Sequence, residues 1–511
     1  MRTYGIILLV GVISLVFFLF ERSSKSVSEK SINFYLGEGA PLISVDPAHG
    51  DIMTNMALSH QIITTLLLFS SDGLFVPFGA ESWIVSKSGL QYNFRIRPGM
   101  FDELGNSLTA EYYVRGLHKL LRLHAEKGDP PDFSFLIGWS KFRVGESETI
   151  SGIKVSSIFD FQMEFERKPT SLLKYLSMPK FGFVHPKDFE GSRWREPLAV
   201  TSTSFYKIGE VSDDSKIVKL HANISHRSNF PSHAPIHAVF KRKNIPPTGD
   251  VFSNSMAMFI NTASIQYHPQ GDLVFGPPII LTFLALSPYL RPFENSKFRE
   301  RFYRCLRARA QEVWLDSEII ASRITTTFYP SSQQGVAVDK LGCGDFLKIS
   351  RGKPHALKAV FSAQLSEDER SYVKSILLEL FSEDSLVIET EDRSRPNWLA
   401  EVQSYKSYHI RVAAVSTGAQ YINWAVKMMF CGKLGIGLPD PSGLICRNVD
   451  RVDSQGLDAS EANRQLEYSI IRDSSVLPLY YSSISWLVSK DIKINEKSQI
   501  NYYPLFKDIE I

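Results

Sequence analysis

His221, His226, His233 and His237 in HANISHRSNFPSHAPIH form the one histidine cluster of the chain. Imidazole suits zinc, copper and nickel, and His233 and His237, at H-x-x-x-H spacing, could share one ion on a helix face. Pro231 and Pro235 break such a helix and no neighbouring carboxylate is placed to orient the rings, so the stretch reads as surface-loop histidines and no metal is expected. Cys305, Cys343, Cys431 and Cys446 are the only cysteines, and the last two enclose the loop GKLGIGLPDPSGLI. Either a disulfide closes that loop, worth about 3 kcal/mol through restriction of the unfolded chain, or all four remain buried thiols. No G-x-S-x-G elbow, Walker loop, H-E-x-x-H or C-x-x-C is present. Without a nucleophile, phosphate cradle or metal motif, the chain reads as a binder and not an enzyme, with no cofactor.

The elements that would position a binding site are clearest between Leu66 and Leu120. Apolar runs alternate with turn signals at Ser71-Asp72-Gly73, Ser88-Gly89 and Pro98-Gly99, which predicts short strands. From Gln91 to Arg97, Tyr92, Phe94 and Ile96 alternate with polar residues, the pattern of a strand with one wet face. Thr109 can cap a helix, Glu111 suits its positive end, and Tyr113, Leu117, Leu120 and Leu121 recur at helical spacing.

The order of these signals resembles the family 5 extracellular solute-binding proteins, the oligopeptide-, dipeptide- and nickel-binding components of bacterial ABC importers. The pieces that carry the resemblance are Val45-Asp46-Pro47, Asp72-Gly73, Pro77-Phe78-Gly79-Ala80-Glu81-Ser82-Trp83, Tyr92-Asn93-Phe94-Arg95-Ile96-Arg97 and Thr109-Ala110-Glu111. Later ones are the Ile279–Leu286 strand, Arg291-Pro292-Phe293-Glu294-Asn295 before a basic amphipathic helix to Trp314, and Val476-Leu477-Pro478-Leu479-Tyr480-Tyr481. Phe181–Lys187 resembles a family strand ending in a P-K turn, and Thr201–Ile208 stands where the family reads G-T-G-P-Y, with the glycines and proline gone.

The resemblance implies an α/β, bilobed, type II periplasmic-binding-protein-like fold, two lobes joined by a hinge with a ligand cleft between. Lobe 1 is expected over 31–265, lobe 2 over 266–474, and a C-terminal return to lobe 1 over 475–511. A β-strand at Leu357–Phe361, a helix at Ser366–Phe381 and a strand at Leu386–Glu389 make a βαβ-like unit of lobe 2, followed by a helix at Trp398–Tyr405, a strand at Tyr408–Val415 and a helix at Ala459–Arg472. By position in the family, Asp51, Met53, Gln420, Tyr421 and Trp424 are cleft residues. Gln420 stands where peptide binders place an aspartate that takes the peptide's amino group, and an amide cannot supply that charge. A blocked or larger peptide, or an uncharged solute, then fits better than a free N-terminus.

The chain has 511 residues, 44% apolar and 22% charged, enough for two or three globular domains. A net charge of +3 spread over that length says nothing about nucleic acid, and with no basic stripe interleaved with aromatics no nucleic-acid partner is expected. Gly5–Phe20 is apolar behind Met1-Arg2 and no A-x-A site follows closely, so residues 1–30 are an uncleaved membrane anchor with a linker or, alternatively, a signal peptide. The expected role is capture of a peptide or similar small solute by a monomer outside the cytoplasmic membrane and delivery to an ABC permease. The alternative is a membrane-tethered sensor or structural protein that keeps the fold without transport.

Overall fold

The computed structural model describes residues 31–36, 43–47, 53–70, 74–126, 132–169, 171–214, 216–223, 225, 234–242, 252–259, 271–315, 323–324, 357–362, 365, 367–381, 385–391, 405–416, 426, 429–431, 438–455, 465–466, 469–470, 475–494 and 505–510. The strands are β1 Ser31–Tyr35, β2 Leu67–Phe69, β3 Phe75–Pro77, β4 Ala80–Val85, β5 Gln91–Ile96, β6 Ile153–Val155, β7 Asp160–Glu164, β8 Phe189–Glu190, β9 Arg193–Trp194, β10 Tyr206–Val211, β11 Ile217–Ala222, β12 His237–Lys241, β13 Ser255–Phe259, β14 Gly271–Leu286, β15 Arg323–Ile324, β16 Leu357–Phe361, β17 Leu386–Thr390, β18 Ile410–Ser416, β19 Val476–Ser489, β20 Lys493–Ile494 and β21 Ile509–Glu510. The helices are α1 Met53–Ile62, α2 Ala110–Ala125, α3 Trp139–Arg143, α4 Leu172–Leu176, α5 Ser296–Leu315, α6 Glu367–Leu380 and α7 Leu444–Gln455.

One mixed sheet of 11 strands runs through the molecule in the order β10-β11-β12-β1-β13-β19-β14-β18-β16-β17, with β15 pairing β19. β1 is parallel to β12 and β13, and β16 is parallel to β17 and β18, while β14 and β19 are antiparallel to each other. These two long strands join the halves. Gly271–Phe275 of β14 pairs with Ser489–Ser485 beside β13, whereas Ile280–Leu286 pairs with β18 on one side and Ser482–Val476 on the other.

Two apolar clusters fill the first half. One combines β1, α1, β11 and β12 with Trp486, Val488 and Phe506, and the other packs α2 onto β5 and β7. The second half carries its own pair, α5 and α6 on one face of β14-β18-β16 and α7 on the other. Each half thus has its own core, as the bilobed α/β fold requires.

Local expectations explain the first half. In β5, Tyr92, Phe94 and Ile96 are buried and alternate with outward residues, so the period of two sets the face. Thr109 caps α2 by accepting from the Tyr112 N–H at 3.2 Å, and Tyr113, Leu117, Leu120 and Leu121 are all buried. Gly89 and Gly99 take φ of 71° and 79°, the left-handed turns that end β4 and β5 and favour glycine. The turn at 71–73 lies outside the described residues.

The strand expected in Phe181–Lys187 does not form. Pro179–Phe181 is a 3-10 turn, and Phe183 then runs extended, giving its single N–H to Thr64 O without a ladder. A buried aromatic run needs only a pocket, and here Tyr113 and His124 of α2, Tyr175 of α4 and Phe133 provide it. The helix expected over Trp398–Tyr405 lies outside the described residues except Tyr405, which has φ of 51° and is not helical. Of the helix expected over Ala459–Arg472, residues 465–466 and 469–470 are described, and they are helical. Among the described residues no helix is long and apolar enough to cross a membrane, and residues 5–20 lie outside them.

Candidate ligand cleft

The Asp-Pro segment is pinned to α1 and to a distant loop. Ser44 N donates to Asn55 Oδ1 at 3.0 Å, Val45 N donates to Pro197 O at 2.7 Å, and Ser44 Oγ accepts from Asp46 N at 3.1 Å. A narrow recess with no room for a water molecule lies beside it, lined by Val45, Pro47, Met56, Ser59, Ile63, Pro179 and Lys180. Met56, Ser59 and Ile63 lie on one face at the three- and four-residue spacing of a helix, which is how one short segment presents all three.

Behind the recess the lost glycines and proline of 201–208 find their replacement. Ser202, Thr203 and Ser204 are fully buried, and the hydroxyls of Ser202 and Thr203 do the joining. Thr203 Oγ1 accepts from Thr64 N at 3.1 Å and donates to Phe183 O at 2.9 Å, while Ser202 Oγ donates to Ile62 O at 3.1 Å. Ser202 N donates to Glu103 Oε1 at 2.9 Å, and burial raises that carboxyl above its ordinary value. Short hydroxyls that bond backbone take over the close approach that glycine would otherwise allow.

Two titratable groups are sealed into the same half. Burial lowers the Lys174 ammonium to about 7, and its Nζ sits 3.7 Å from the Phe69 ring centre. Burial, then the charge of Lys174, lowers His60 to about 3, so at neutral pH the imidazole is uncharged. In the other half, Arg411 Nε donates to Glu391 Oε1 at 3.0 Å with side-chain exposures of 5% and 0%. Burial is the largest influence and opposes the guanidinium charge, but the Glu391 carboxylate, Tyr405 and Tyr408 together outweigh it and the net shift is upward. None of these four carries a sequence signal, because burial of a charge depends on what packs over it.

Of the expected cleft residues, Asp51, Gln420, Tyr421 and Trp424 lie outside the described residues, and Met53 opens α1 with its side chain outside them. Described residues near them share one apolar cluster. Ala414 of β18 and Ile280 of β14 belong to the same apolar cluster as Val45, Ala57 and Leu58. Cys431 and Cys446 are joined in a disulfide, and Cys305 is also disulfide-bonded. The disulfide alternative therefore holds for the Cys431–Cys446 loop. Among the described residues no set of three or more His, Cys, Asp or Glu side chains converges to hold a metal ion.

Solved structures overlay nearly the whole chain. The murein tripeptide binding protein MppA of Escherichia coli matches with a TM-score of 0.74 at 11% identity, over 94% of this chain and 98% of that one. Haemophilus influenzae OppA, in complex with RPPGFSPFR, matches with a TM-score of 0.74 at 13% identity, over 94% and 99%. This chain has the fold of the bilobed binding proteins. The unliganded open form of MppA overlays less well, with a TM-score of 0.59 at the same 11% identity over 94% and 97%. No family model matches the sequence, and no curated protein matches it.

Proposed function

We propose that this chain is a divergent family 5 solute-binding protein that captures a peptide or similar small solute between its lobes and delivers it to an ABC permease. The observation that carries the proposal is the pair of long strands, β14 and β19, that join two separately cored halves in a fold shared with peptide-binding proteins over 94% of the chain. Two cores joined by two strands can rotate against each other and enclose a ligand, which is hinge closure. No covalent step is needed. The lobes are assigned as 31–265 and 266–474, with 475–511 returning to the first.

Asp51, Met53, Gln420, Tyr421 and Trp424 are assigned to the cleft on the family pattern, with Trp424 stacking on the ligand. Gln420 directs the choice of ligand away from a free peptide ammonium. The disulfides fit folding outside the cytoplasm, where such bonds persist. Native mass spectrometry of the periplasmically expressed chain, before and after mild denaturation, tests the reading. A released peptide or small solute whose retention falls at least tenfold in Trp424→Ala supports it. A clean apo mass that no peptide or solute library shifts overturns it in favour of a tethered protein without transport.

A further inference from the structure

The histidine stretch is built on strands. β11 and β12 are antiparallel, and His221 stands opposite His237 at the last register position before the connecting residues. Ala222 N donates to Ile236 O at 2.9 Å, which makes the histidines a non-hydrogen-bonded pair, the cross-strand position where side chains approach most closely. Their Nδ1 atoms are 2.7 Å apart, with both rings partly open to solvent. At that distance one ring donates its Nδ1 proton to the lone pair of the other. A shift of that proton to Nε2 of the same ring, with no net proton release, leaves two lone pairs facing one point. Zinc held by two imidazoles at about 2.0–2.1 Å and a tetrahedral angle needs nitrogens about 3.3 Å apart. A small rotation of either ring opens the pair to that spacing.

The neighbouring strand makes room for this. A Cβ on Gly209 of β10 would lie 2.1 Å from His221 Cδ2, so the absent side chain is what lets the ring lie against β10. The charged groups around the pair are Lys207, in register with His221, and Glu210 and Lys219, joined in an ion pair at 2.5 Å. The pair sits on β11 and β12, with β1 and β13 between it and the β14–β19 junction, so it is independent of the proposed cleft.

We infer that His221 and His237 form a two-histidine site for a divalent transition metal of the zinc, nickel and copper class, with water completing the coordination. Zinc is the probe. The full, untagged chain, stripped of metal, is titrated with zinc chloride by calorimetry at pH 7.5. The expected result is one saturable ion per chain, with affinity at least tenfold lower in His221→Ala and in His237→Ala. Gly209→Ala, which keeps both ligands but crowds the ring, weakens binding as well. Affinity falls as pH drops through the histidine range, because a protonated ring has no lone pair to give. On the unmutated chain, zinc is expected to protect His221 and His237 from diethyl pyrocarbonate, read by peptide mass mapping. Equal modification of both rings with and without zinc overturns the site, as does undiminished affinity in the folded double variant.

Discussion

At the scale of single residues, the unusual feature is a lysine and a histidine sealed in one half with shifted titration. The folded ammonium of Lys174 titrates at about 7, below the ordinary lysine value, so between those two values the unfolded chain binds more protons and stability rises with pH. The sign is the same for His60. Its folded value of about 3 lies below the unfolded one, so stability falls as pH drops from the ordinary histidine range towards 3. Lys174→Met removes the first slope. Chemical denaturation is expected to show the variant more stable at pH 7 by about 1 kcal/mol or more, since each tenfold loss of proton affinity on folding costs about 1.4 kcal/mol and the cation–π contact with Phe69 offsets part of it. A variant less stable than the parent at pH 7 and equally steep above it would show that the ammonium is held by something stronger than that ring.

At the scale of elements, the ends of β17 and β18 are tied by the buried Arg411–Glu391 pair. Removing one partner leaves a charge in the core, so Arg411→Ala is expected to cost about 3–5 kcal/mol by urea unfolding. Replacing both, as Arg411→Met with Glu391→Leu, is expected to be near neutral or stabilising, because no desolvated charge remains. If the double variant is as unstable as the single one, the pair is needed to position β18 and not merely to neutralise itself. The elements also show where patterning suffices. β5 and α2 follow their periodicity and cap, because each buries one face against a core made of near neighbours in the chain. The segment Phe181–Val184 has an apolar run but no partner strand, and a run without a partner stays a loop.

At the scale of the whole molecule, β14 and β19 are both the tie and the weak point. Their register shifts between Phe275 and Pro278 and between Pro278 and Ile280, opposite Ser482–Ser485, and a third time between Thr282 and Phe283, where β14 itself carries no proline. Pro277 and Pro278 have no N–H to give the ladder, so bending is easiest there. Amide hydrogen exchange is expected to be at least tenfold faster at Ser482–Ser485 than at Leu281–Leu286. Uniform protection along both strands would move the hinge elsewhere. Residue order alone determined the strand meander, the capped helix and the two-lobed α/β class, because these rest on periodicity, turn chemistry and a family pattern that are all local. Packing between distant segments decided the rest. The hydroxyls of Ser202 and Thr203 bridge residues far away in sequence, Arg411 finds Glu391 across two strands, and His221 meets His237 through register, not through spacing along a helix. Burial and register belong to the assembled chain, since each depends on partners that no single stretch contains.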